Sequence, residues 1–382
     1  MRDFRYIYFL TSVEGLGSVR IKKLLETFSN PEDIFSLSLN ELASVDGISQ
    51  RLAESIIRAP GSFEEYGIAY EKLVEVCERK GIDVITVDDS NYPFQLKQIY
   101  DPPVILYVKS NDIVGMYNKL SGDSVGIVGT RRPSDYGKKM AETFAKELIA
   151  SGMNVISGFA RGIDTAAHKS VLSSNNNGYI TGAVFGCGVD VVYPPENKNL
   201  YEEMCARGAL ISEYEPGTKP DAMNFPRRNR VISGLSRGII VIESGKDGGA
   251  LITARCALDQ GREVFAVPGY VTSKMSEGAN YLIKTSQAKL VENIDDVLTE
   301  FGMGKYAVNR KNTEQVAMFL PELSGNEKTI FDVLQKSADP LHIDAISEQT
   351  ELNISDSLVT LSNLEFKGIV SQLPGKRFSI VK

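Results

Sequence analysis

The strongest constraint on this chain lies between Ser124 and Gly269, where short β-branched and apolar runs alternate with glycine turns and amphipathic helical segments. The runs read SVGIVGT, MNVISGFARGID, YITGAVFGCG, GALISE, GIIVIES and EVFAVPG; among them stand a helix led by Gly137, the helix TAAHKSVL and the helix LITARCALDQG. Strands with almost no charge on either face must be buried on both. Strands that alternate with helices are joined in parallel by crossovers that lay the helices over the sheet. The pattern predicts an α/β domain with a parallel sheet covered on both sides. Two further runs, IDVITV at 82–87 and PVILYV at 103–108, flank a proline-marked loop and are expected to add strands to it.

Upstream, residues 13–28 (VEGLGSVRIKKLLETF) and 45–57 (VDGISQRLAESII) match at an offset of 32, an internal repeat. Each copy sets an apolar residue, an acid, a glycine and another apolar residue before an amphipathic helix, which resembles a helix-hairpin-helix unit of the SAM-like kind. In such a unit the glycine turn lets N–H groups at the helix start face a DNA phosphate. The same turns serve equally well as joints of a small helical bundle, and Ser49 stands in the second copy where the first has Gly17. Downstream, a polar stretch from Gly302 to about Ser324 reads as a linker. NEKTIFDVLQKS, IDAISEQTEL and ISDSLVTLSNLEFKG then read as three helices, and IVSQL and FSIVK as a hairpin. Three helices and a hairpin suggest a winged helix. The expected divisions are a helical domain over 1–65, the sheet domain over 66–300, a linker over 301–324 and the winged helix over 325–382.

Charge and cysteine usage narrow the function. Cys77, Cys187, Cys205 and Cys256 form no C-x-x-C pair, and His168 and His342 are the two histidines, so neither a disulfide frame nor a metal site is expected. No long uncharged apolar stretch stands out, which makes the cytoplasm the expected location. A net charge of −7 argues mildly against a nucleic-acid partner, yet Lys219, Arg227, Arg228, Arg230 and Arg237 face Asp221 alone within nineteen residues. A phosphate senses that local excess more than the sum.

Several strands of the central domain end in small residues before a helix: at Gly129, at Ser157 in SGFARG, at Gly186, and at Glu243 in ESGKDGGALIT. The carboxyl ends of parallel strands line one crevice, where helix starts present free N–H groups to an anion. Arg131 and Arg132 follow the first strand and can grip phosphate with paired donors. In NFPRRNRVISGLS, three arginines cannot all enter a core; a mixture is expected, one of them structural, with Glu213, Glu215 or Glu243 as candidate ion-pair partners. Phe225 beside them can stack a base.

The blocks GIVGTRRPSDYG, SGFARGIDTAAH, GCGVDVVYPPENKNL, ISEYEPG, NFPRRNRVISGLS, GGALITARCALDQGREVFAVPG and EGANYLIKTSQA together resemble the successive motifs of the DprA/Smf family, from about Ile82 to Leu298. The resemblance implies an extended Rossmann-like fold that binds single-stranded DNA, forms a homodimer, and loads a RecA-type recombinase during uptake of transforming DNA. It implies DNA contacts at Arg131, Ser157, Gly158, Arg161, Lys198, Arg227, Arg228, Arg230, Gly248 and Gly249. One departure is KDGGALIT, where many members carry a serine-glycine-serine run. No cofactor is implied.

The competing class is a nucleotide-processing phosphoribohydrolase on a related fold, whose glutamate behind a glycine loop does acid–base work. Here the helix after KDGG carries no carboxylate before Asp259, so that acid is missing from its expected place. Asp164 and His168, four residues apart, share a helix face and are expected to be a cap and the imidazole it satisfies rather than a catalytic pair. No G-x-G-x-x-G follows the first strand, which excludes the usual dinucleotide fingerprint. The expected recognition helix of the winged domain, 355–367, carries Asp356, Glu365 and Lys367, a balance that favours protein contact over a DNA groove, with Lys376 and Arg377 left for weak DNA contact.

Overall fold

A computed structural model of the chain describes residues 3–28, 30–174, 178, 180–303, 323, 325–337, 340–350, 352–367, 369–373 and 376–380. The expected linker lies almost wholly outside them. The chain divides into two compact units, Met1–Gly304 and Lys305–Lys382. No described helix is long and apolar enough to cross a membrane.

The first unit opens with helices α1 (Arg5–Ser12), α2 (Ser18–Thr27), α3 (Leu39–Ser44), α4 (Gln50–Arg58) and α5 (Phe63–Lys80). The sequence repeat is a structural one: α1–α2 and α3–α4 are two hairpins that turn at Gly15 and Gly47, both at positive φ (81° and 85°), which a residue without Cβ adopts cheaply. Arg20 joins the hairpins by donating to the carbonyls of Gly47 (2.8 Å) and Gly15 (3.0 Å). An aromatic cluster closes the bundle, with Phe63 4.7 Å from Phe9 and 4.9 Å from Phe35. Helix α5 runs through the expected boundary at 65/66, because nothing in FEEYGIAYEKL interrupts it, and ends at Gly81 in the left-handed region.

The sheet follows: β1 (Asp83–Thr86), β2 (Ile105–Lys109), β3 (Ser124–Val128), β4 (Asn154–Ser157), β5 (Thr181–Phe185), β6 (Ala209–Ser212), β7 (Gly238–Val241), β8 (Glu263–Ala266) and the two-residue β9 (Lys289–Leu290). Their order is β1-β2-β6-β5-β4-β3-β7-β8-β9. From β6 to β9 all pairs are parallel, while β1 and β2 extend the β6 edge antiparallel. Helices α6 (Asp135–Ala150) and α7 (Ile163–Ser173) cover one face through Phe144, Leu148 and Ile163. On the other side a continuous core runs from the N-terminal helices to α8 (Lys198–Arg207), α9 (Asn224–Gly234), α10 (Gly249–Asp259) and α11 (Glu277–Lys284). The fold is thus the expected extended Rossmann-like α/β sheet, with both early strands placed in it.

The second unit packs α12 (Asn326–Lys336), α13 (Ile343–Thr350) and α14 (Ile354–Phe366) around Ile330, Ile346, Leu361 and Leu364. A sheet of β10 (Leu341–His342), β11 (Val370–Leu373) and β12 (Arg377–Ile380) in the order β10-β12-β11 completes a winged helix. The sequence reading missed β10, which is only two residues long.

Candidate functional site

The chain leaves β3 in one direction, to β4, β5 and β6, and then returns to the opposite side of β3 for β7 and β8. Loops after β3 and β7 therefore diverge, and a crevice opens at their carboxyl ends. It encloses about 740 Å³ between the loop 129–132, the start of α9 and the start of α10.

Glu243, at the end of β7 and 2% exposed, ties down the loop after β3. Its carbonyl accepts from Thr130 N (2.7 Å), and its two carboxylate oxygens accept from Ser134 N (2.9 Å) and Ser134 Oγ (2.5 Å). A carboxylate so used leaves Glu213, another of the three alternatives, as the arginine partner, paired with Arg230. Arg131 and Arg132 are left exposed on the crevice wall, and among the described residues neither makes an ion pair. Across the crevice, Gly248 caps α10 with no side chain to offer; its own amide donates to Gly245 O and that of Leu251 to Gly248 O (both 3.0 Å), so the expected donor at Gly248 is corrected to those of Gly249, where a Cβ would find open space, and Ala250.

NFPRRNRVISG forms α9, so Arg227 and Arg228 point about 100° apart and Arg228 and Arg230 about 200° apart. Arg227 is exposed and, among the described residues, makes no ion pair. Arg228 is 5% exposed; its Nη1 donates to the carbonyls of Gly158 (2.6 Å) and Val184. Arg230 sits outside the crevice between Glu213 and Asp101 (3.1 Å). Two arginines, not one, are thus committed to the protein, because a helix turns them toward different neighbours. Phe225 lines the crevice, packed over Gly186, where a Cβ would lie 2.8 Å from its ring. Tyr193 lies 5.5 Å from it at 31°, and the guanidinium groups of Arg131 and Arg228 each lie 5.9 Å from its centroid.

The loop after β4 turns its donors inward. Asp164 Oδ2 accepts from Gly158 N and Ala160 N, both at 3.1 Å, and Ser157 Oγ donates to Ile127 O at 2.6 Å. The expectation that Ser157 and Gly158 present free donors is corrected accordingly: Asp164 has already taken the Gly158 amide, and the serine hydroxyl is buried in the sheet. Asp164 does not satisfy His168 either. His168 Nδ1 lies 2.6 Å from Thr181 Oγ1, whose own hydrogen goes to Val155 O, so the imidazole donates there and leaves Nε2 buried without a partner. Burial pushes the Asp164 carboxyl up to about 6 against the opposing pull of Arg228, and pushes His168 down to about 3 with Arg228 adding to the effect. Arg228 itself is held below the usual arginine range by burial.

Arg161 joins Arg131, Phe225 and Tyr193 around a smaller recess of about 40 Å³ and pairs with exposed Glu196 at 2.5 Å. Lys198 begins α8, exposed and outside both cavities. Sequence reasoning missed Tyr193 as a wall of this recess; its place before two prolines in VVYPPEN was the available signal. Ile252 and Met275 also line the larger cavity. The first glycine hairpin, by contrast, opens through Leu16 and Ser18 onto a separate cavity of about 550 Å³ where Glu213 and Glu215 stand against Arg230 alone, which itself pairs with Glu213, so its lining offers no cationic excess.

Residues 83–302 match the family described as DNA recombination-mediator protein A, residues 7–59 a SAM-like helix-hairpin-helix tandem, and residues 317–376 a DprA winged helix domain. Protein Smf of Synechocystis is 32% identical over 96% of both chains. The structure of DNA processing protein A from Streptococcus pneumoniae is similar with a TM-score of 0.63 at 36% identity, covering 78% of this chain and 99% of that one. A structure of DNA processing protein A from Helicobacter pylori, described for its single-stranded DNA binding mode, matches with a TM-score of 0.50 at 28% identity over 58% of this chain and 95% of that one.

Proposed function

The chain belongs to the DprA/Smf family of DNA-processing proteins, and from that premise we propose that its crevice binds single-stranded DNA without chemical turnover. The observation that carries the reading is the crevice wall itself, where Arg131 and Arg132 stand free beside the paired rings of Phe225 and Tyr193. Unpaired guanidinium groups neutralise phosphates, and an exposed ring pair stacks bases of any sequence. Arg131, Arg132, Arg161 and Arg227 contact the backbone, the N–H groups at Gly249 and Ala250 take one phosphate, and Lys198 meets the strand outside the two cavities. Phe225 and Tyr193 face the bases. Arg230 and Ser157 support this wall from behind, and Arg228 and Gly158 hold its shape where they border the cavities.

Binding rather than hydrolysis is favoured by the state of the acids. Asp164 is buried and occupied by the loop amides, His168 is buried and neutral, and α10 carries no carboxylate before Asp259. We assign the chain the further family role of a cytoplasmic homodimer that protects incoming single strands and hands them to a RecA-type recombinase in transformation or recombination. The test is fluorescence anisotropy with a labelled oligonucleotide, single-stranded and duplex, at several salt concentrations. Single-strand preference with a steep salt slope supports the reading; no binding, or release of free base from nucleoside monophosphates, overturns it. Strand exchange by a recombinase on DNA covered with single-strand-binding protein, with and without the chain, tests the loading role.

A further inference from the structure

The ladder between β4 and β5 ends at the pair Ser157↔Ala183. One residue further along each strand lie Gly158 and Val184, and Arg228 Nη1 donates to both of their carbonyls. The guanidinium therefore stands in the split between the strands just past their last paired residues. We propose that Arg228 is a positioning residue that holds this split open at a fixed width, sets the Gly158–Arg161 loop and the α9 wall, and is not itself a phosphate ligand. This rests on the reading of the crevice as a single-strand site.

Three observations carry the assignment. Arg228 borders both cavities, yet it is 5% exposed and the hydrogen bonds it makes run from Nη1 to sheet carbonyls, whereas Arg131 on the same wall is exposed. Gly158 leaves the room: a Cβ there would lie 2.8 Å from both Arg228 Nη2 and Asp164 Oδ2. The loop so fixed is held from its other side by Asp164 on the amides of Gly158 and Ala160, and by Asn197 Nδ2 on Phe159 O at 3.0 Å. A planar guanidinium can serve two diverging carbonyls from a rigid fork, whereas an ammonium on a flexible stem holds neither direction.

Arg228→Lys and Arg228→Ala are made in the full chain, with Arg131→Ala for comparison. Single-strand affinity is measured over a salt series, and amide hydrogen exchange of residues 158–164 is followed in the DNA-free protein. A positioning role predicts that both Arg228 variants lose about tenfold or more in affinity with the wild-type salt slope, and that exchange at 158–164 accelerates while the rest of the sheet stays protected. Retained affinity in the lysine variant, a salt slope lowered in the alanine variant as in Arg131→Ala, or unchanged exchange overturns it. Should Arg228→Ala fail to fold, Arg228→Lys and Arg228→Gln, which leave the Asp164 contacts of the loop in place, give the same exchange readout. If the wild type binds no DNA, the crevice reading fails, while exchange still decides whether Arg228 holds the loop.

Discussion

Arg131 and Arg227 differ from Arg230 in having no carboxylate to hold them among the described residues, and that difference decides what each substitution should do. Arg131→Ala should weaken single-strand binding and flatten the plot of log affinity against log salt by about 0.7, the share of one phosphate contact, as measured by anisotropy. Arg230→Ala should instead lower thermal stability, since it strands the half-buried Glu213 carboxylate; a melting curve checks it. His168 makes a separate prediction through pH. Its folded pKa is depressed below its ordinary value of 6.5, so the unfolded chain binds the extra proton and the folded state loses stability as pH falls from 6.5 toward 3. Asp164, raised to about 6, works in the opposite sense: its ionisation costs the folded state stability as pH rises from about 4 through 6. Denaturant melts of His168→Asn and wild type should therefore converge or cross in the variant's favour between pH 6.5 and 4.5, by roughly 2–3 kcal/mol. Residue identity was legible in the sequence where a side chain has one plausible neighbour, as with Arg131 directly after a strand. It was not legible for Asp164, whose partners are amides of its own loop, nor for Arg228, whose partners are carbonyls of two strands.

Helix α9 is where legibility failed by element. The buried stripe at 228, 229 and 232 contains an arginine and an asparagine, so apolar periodicity alone does not announce a helix, and NFPRRNR reads as a polar patch. The strands β3 to β8 were readable because both their faces are apolar; β9 and β10 were not, because two residues carry no period. The packing of α9 against β5 also yields a test. Gly186→Ala places a methyl group against the Phe225 ring, so the ring must leave its present place beside Tyr193; single-strand affinity should fall while stability drops by only about 1–3 kcal/mol, measured by anisotropy and denaturant melts on one preparation. In the winged helix, α14 exposes Ile354, Asp356, Val359 and Glu365 around its circumference, a surface poor in cations.

For the whole molecule, the division at Gly304 predicts that a chain ending there folds and keeps most of its single-strand affinity, since every residue assigned to the crevice precedes it. A large loss of affinity in that truncation would move the DNA site to the second unit. The N-terminal helices share a core with the sheet, so the truncated chain should melt in one transition rather than two, which calorimetry can resolve. The sheet class could be read from alternation, but the order of its strands could not: that β3 and β7 are neighbours depends on which side of β3 the chain returns to, and no local pattern records it. The tie between Glu243 and the loop after β3 bears on the thermodynamics of association. A loop that folds onto its ligand surrenders about 1–2 kcal/mol of backbone entropy for each residue it orders. Thr130 to Ser134, already anchored at both ends, have little of that freedom left to lose, so an oligonucleotide should meet a surface whose shape does not change on contact, and its binding entropy should be dominated by the ions and water it releases.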